Sequence, residues 1–251
     1  MRAFSGIVDL PALLMIIGAL IVIALANGFS YRRSAATAHA MMLEVALLYS
    51  LVSLVPLFQD PLNFMVLPYI ISFGLVTFAL AGMVTLCLGI AAAPTAEAIA
   101  DELPKPGFRI VGTLAFVAGI GYLAAGNGAL IGYVQSSAVI FVAATLALVA
   151  LLARLSGKGG VANRLGQALP SIAILGMVVG ISAAVLDVYE VQFMLPLLGF
   201  GVNVVFLAIL IRVFMQLVGW IDAGLDSLRL VVLSLLLGTA VSLVLLSQAL
   251  I

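Results

Sequence analysis

Charge is what this sequence has least of. Of its 251 residues, 8% are Asp, Glu, Lys or Arg, against about 25% in an average soluble domain. Hydrophobic residues make up 65% and the mean hydropathy is +1.37. A soluble fold of this size has too little interior to hide so much apolar surface from water. The solvent is therefore a bilayer, where each spanning segment must satisfy its own backbone hydrogen bonds. Leu, Ile, Val and Ala occur in unbroken runs rather than in alternation, which excludes barrel strands and leaves helices.

Other scarcities exclude chemistry. The single cysteine, Cys87, rules out an internal disulfide and a cysteine metal cluster. With one histidine, His39, and no paired intramembrane acids, neither a metalloenzyme nor an aspartyl intramembrane protease is expected. There is no glycine-rich phosphate loop, and no serine has a base beside it. The expectation is a protein that is not an enzyme, with no cofactor and no metal. Formal net charge is zero and no basic block occurs, so nucleic acid is not an expected partner.

What is present is a series of apolar runs, each near the roughly 20 residues that a span needs. Eight are expected, at 9–28, 38–57, 63–93, 109–125, 137–154, 169–186, 192–217 and 229–250. The first has no A-x-A-like cleavage site after it and reads as a retained helix. Breakers such as "NGFSYRR", "FQDPLN" and "SGKGG" separate the runs. Nine of the ten Lys and Arg fall at alternate connections, among them Arg32, Arg33, Lys105, Arg109, Lys158, Arg164, Arg212 and Arg229. By the positive-inside rule these connections face the cytoplasm and both termini lie outside it. A multi-pass protein of the bacterial inner membrane is the expected setting.

The two halves resemble each other. "DPLNFMVLP" at Asp60–Pro68 parallels "DVYEVQFMLP" at Asp187–Pro196. "RIVGTLAFVAGIGYL" from Arg109 parallels "RLVVLSLLLGTAVSL" from Arg229. The expected fold is an all-α polytopic bundle of two four-helix repeats, residues 1–125 and 126–251. An even number of spans per repeat makes the repeats parallel, related by an axis along the membrane normal.

The first span with its entry, "GIVDLPALLMIIGALIVIALA", joins an acid and a proline to an apolar run. The hairpin "LYSLVSLVPLFQDPLNFMVLPYIISFGLVTFALAGMVTLCLGIAAAP" follows, and "LPSIAILGMVVGISAAVLD" carries paired glycines later. Over about a third of the chain these segments resemble the MotA–TolQ–ExbB-type proton-channel superfamily, which includes flagellar-motor stator A subunits. The large charged cytoplasmic region of that family has no counterpart here. The resemblance implies a channel or energy-transducing subunit that works as a homo-oligomer or beside a partner membrane protein supplying an ionisable group. The alternatives left open are a secondary transporter of a small or lipophilic solute and a non-catalytic membrane assembly or scaffold subunit.

Few polar residues lie inside the spans, and there an ionisable group is functional by default unless it snorkels to an interface. Glu44 is the chief candidate. It lies about 9 Å along a helix starting at Ala38, at 1.5 Å per residue. It is expected either to reach back toward His39 or Arg33 or to face the interior as a protonatable group. His39 and Asn203 are further candidates, Asn203 at mid-span, where an amide can bridge helices. Asp187 and Glu190, two acids in a short outer connection, are candidates for a cation-attracting vestibule.

Overall fold

The structure, a computed structural model, describes residues 10–58, 67–92, 106–127, 134–155, 160–186, 191–221 and 227–249. Among the described residues its regular secondary structure is all helical. The α-helices are α1 (Leu10–Ala26), α2 (Tyr31–Leu54), α3 (Leu67–Ala92), α4 (Pro106–Asn127), α5 (Ser136–Leu155), α6 (Val161–Leu186), α7 (Val191–Val218) and α8 (Ser227–Ala249). A single 3₁₀ turn, Val55–Phe58, follows α2. Six of these, α2 to α7, are long and apolar enough to cross a membrane, and Leu10–Ala26 and Val231–Leu245 are shorter apolar helices. A helical integral membrane protein requires this build.

Two starts precede the expected ones by seven and eight residues. Helix α2 begins at Tyr31 rather than Ala38, because "YRRSAAT" is helix-competent although not apolar. Helix α6 begins at Val161 rather than Leu169 and runs through Pro170. The helix continues because the carbonyl that Pro170 cannot serve finds another donor, described below.

The chain divides into two compact units. The first comprises Met1–Ser50, Val66–Leu123 and Val213–Gly224, and the second Leu51–Met65, Ala124–Arg212 and Leu225–Ile251.

In the first unit α1 buries one stripe, Ala12, Ile16, Ala19, Ile23 and Ala26, at alternating spacings of four and three. Its small residues let neighbours come close. A Cβ on Gly112 of α4 would lie 2.6 Å from Ala26 Cβ and 2.7 Å from its Cα, so the two backbones touch. Helices α2 and α3 run antiparallel. Ser50 stands against Gly74, and His39 against Gly89, eleven residues earlier on one helix and fifteen later on the other.

Two helices of this unit end alike. After α1, Gly28 (φ 63) and Phe29 (φ 60) are left-handed, and the Phe29 N–H returns to the Ala24 carbonyl at 2.7 Å. After α7, Gly219 (φ 78) lets the Trp220 N–H reach the Met215 carbonyl at 2.8 Å. Both are Schellman ends, which a glycine makes inexpensive. The first turns of α4 seat on them. Phe108 packs over Gly28, and Arg109 donates from Nη1 to the Val218 carbonyl at 3.2 Å. A cation at a helix C-terminus also meets the negative end of its dipole.

In the second unit α5 packs on α6 and α6 on α8. Ala138, Val142, Ile172 and Val204 form a buried cluster joined by Phe141 and Phe200, whose rings meet edge to face at 5.6 Å. Helices α6 and α7 are antiparallel and very close. A Cβ on Gly176 would run into Val204 Cγ1, and one on Gly180 would lie 2.8 Å from the Leu197 carbonyl and 3.0 Å from Gly201 Cα. The sequence "GVNVVF" at 201–206 is buried on every face, which marks α7 as an interior helix.

Candidate functional site

Glu44 lies on α2 and is 1% exposed. It accepts a hydrogen bond at Oε1 from Gln216 Nε2 of α7, at 3.2 Å. Both belong to the first unit. Gln216 lies two residues before the end of α7, so Glu44 is level with that helix's last turn. Around it α2 is otherwise apolar, with Met41, Met42, Val45, Ala46, Leu47 and Leu48 all buried. A carboxylate so placed is costly unless hydrogen-bonded, and the side-chain amide meets part of that demand.

His39 does not join it. The two side chains point about 140° apart around α2, five residues at 100° each. His39 is exposed, and its Nδ1 lies 3.0 Å from the Thr85 carbonyl of α3. A Cβ on Gly89 would stand 3.0 Å from His39 Cε1, so the ring occupies a notch that a larger residue would fill.

Asn203 is 1% exposed. Its Nδ2 donates to the Gly199 carbonyl one turn earlier, at 2.9 Å, while Oδ1 is buried without a hydrogen-bond partner. Asp187 and Glu190 lie outside the described residues.

Two residues enter that the sequence did not single out for the site. Gln216 is a polar residue near the end of an apolar run, a signal that hydropathy treats as an interface. Arg212 was expected at the border of the connection after α7. It lies six residues before the end of α7 and is 3% exposed. Its guanidinium donates from Nη1 to the Gly166 carbonyl of α6, within the second unit. Among the described residues, Glu44 and Arg212 are the buried charged side chains. The described residues hold no group of three or more His, Cys, Asp or Glu able to bind a metal ion.

Compared with family models, with curated proteins and with solved structures, the chain gives no match in any of the three.

Proposed function

We propose that this chain is a proton-linked membrane protein in which Glu44 takes up and releases a proton away from bulk water. Its form would be a channel or energy-transducing subunit, stator-like, working in an oligomer or with a partner membrane protein. The observation that carries the proposal is the burial of the Glu44 carboxylate among apolar residues of α2 with a side-chain amide as donor. Intramembrane carboxylates of this kind mark proton relays in pumps and transporters. The likeness of the first helices to the MotA–TolQ–ExbB superfamily supports the same direction.

A second reading, a secondary transporter, draws support from two features. The chain forms two compact units, as transporters built from repeats do. Asn203 holds an unpartnered acceptor in the middle of α7, where a solute's donor group would find one. Duplication of residues 1–125 as 126–251 belongs to either reading. Pull-down from native membranes separates them. A single-span partner carrying an intramembrane acid supports the stator-like form, and a purified monomer that accumulates solute in vesicles supports the transporter.

Orientation is part of the proposal, with the basic ends in the cytoplasm. Single cysteines replacing Ser34, Gly157 or Ala223, with Cys87 changed to serine, are expected to resist an impermeant thiol reagent applied outside intact cells. One replacing Asn127 is expected to react. The reverse labelling pattern would overturn the orientation.

A further inference from the structure

Helix α6 contains a proline, Pro170, inside a continuous helix and buried. A proline has no N–H to give the carbonyl four residues back, and its ring crowds that carbonyl. Here the carbonyl is that of Gly166. Arg212 Nη1 of α7 donates to it. The next carbonyl along the helix, that of Gln167, receives Arg229 Nη1 of α8 at 3.0 Å. Two successive carbonyls of the proline turn are thus met by two arginines from two helices, all within the second unit. Guanidinium donors make stronger bonds than the neutral N–H that a non-proline residue would supply.

The rest of α6 is fastened differently. Beyond Pro170, Gly176 and Gly180 press against Val204, Leu197 and Gly201 of α7 at backbone distance. One arm of the helix, from Ser171 onward, is locked by glycine packing. The other, Val161–Leu169, carries both arginine bonds.

We propose that Pro170, Arg212 and Arg229 form a clasped hinge, in which the proline frees the Val161–Leu169 arm and the two guanidiniums hold it. Arg212 and Arg229 are then positioning residues, and their effect on the arm requires the proline. In a straight, fully bonded helix the clasp has little to do. The inference stands whether or not Glu44 carries a proton, since it rests on other residues in the other unit.

The test is a distance measured across the hinge. Spin labels at Asn163 and Val185, both exposed, replace native side chains in full-length protein with the exposed Cys87 changed to serine. The two sites are separated by about 33 Å along the axis, 22 residues at 1.5 Å each. In lipid nanodiscs the parent protein is expected to give one narrow distance distribution. Arg229→Gln is expected to broaden it, and Arg212→Gln to broaden it more. Adding Pro170→Ala, which restores an N–H to the Gly166 carbonyl, is expected to narrow it again in both backgrounds. Should Arg212→Gln fail to fold, Arg229→Gln with and without Pro170→Ala decides alone. An unchanged width in Arg229→Gln, or broadening that Pro170→Ala leaves untouched, overturns the hinge.

Discussion

Glu44→Gln is expected to fold like the parent protein and to lose proton-linked activity. Glutamine keeps the length and shape of the side chain and an oxygen for Gln216 Nε2, so the stability change should stay within the roughly 1 kcal/mol of an exchanged neutral hydrogen bond. It removes the only thing the proposal needs, a group that binds and releases a proton. Loss of a positioned proton-transfer group costs on the order of 100-fold or more in rate. Glu44→Ala should differ in kind. It leaves the Gln216 amide without this acceptor, at about 1–3 kcal/mol, and opens a cavity in a fully buried stretch of α2. Proton flux into proteoliposomes, read with an entrapped pH dye, measures activity, and thermal unfolding in detergent measures stability. Parent-like flux from both variants would remove Glu44 from the mechanism. Loss of flux from Glu44→Ala alone would make the residue structural.

How much of this the sequence disclosed depends on what each feature is made of. Helix existence and order were legible because long apolar runs have one structural solution in a bilayer. Helix starts were less so. Hydropathy registers oil, and the first seven residues of α2, Tyr31 to Thr37, include two arginines, a serine and a threonine in good helical form. The start of α6 was missed for the same reason, since "VANRLGQA" at 161–168 is helical but carries Asn163, Arg164 and Gln167. The rule that proline breaks a helix is a statement about an unserved carbonyl, and it lapses when a distant side chain serves that carbonyl. Arg212 lies 46 residues from Gly166, and no local pattern announces such a bond. Glu44 was legible as an anomaly, since a carboxylate in an apolar run has few explanations. Its partner was not, because Gln216 is 172 residues away and only the packing of α7 beside α2 in the first unit brings them together. The burial of Arg212, near the border of the α7 run, was not legible for the same reason. Position within an apolar run measures depth along one helix, and burial depends on what surrounds it.

The glycines offer a second large effect, and it sorts residues that composition cannot distinguish. Gly112 and Gly119 are seven residues apart on α4 and both lie in "GTLAFVAG". A Cβ at Gly112 would meet Ala26 at 2.6 Å from Cβ, 2.7 Å from Cα and 2.8 Å from the backbone nitrogen, whereas one at Gly119 would meet nothing within 4 Å. A neighbour made of backbone cannot swing aside as a flexible side chain does, so α1 and α4 would have to separate. Gly112→Ala is therefore expected to cost about 1–3 kcal/mol, the usual range for overpacking a filled interior. Gly112→Leu should cost more and leave little folded protein. Gly119→Ala should instead be neutral or slightly stabilising, because alanine is the better helix former by up to about 1 kcal/mol. In the second unit Gly180→Ala should behave as Gly112→Ala does, since its Cβ would stand 2.8 Å from a carbonyl oxygen, and Gly238→Ala, which meets nothing within 4 Å, as Gly119→Ala does. Unfolding midpoints in one detergent, with monodispersity on a sizing column, rank the four. Close helix approach, rather than conformational freedom, is then what Gly112 and Gly180 supply. Equal midpoints for Gly112→Ala and Gly119→Ala would show that α1 and α4 are not in backbone contact, and with that the packing of the first unit around the Ala26 stripe would fall.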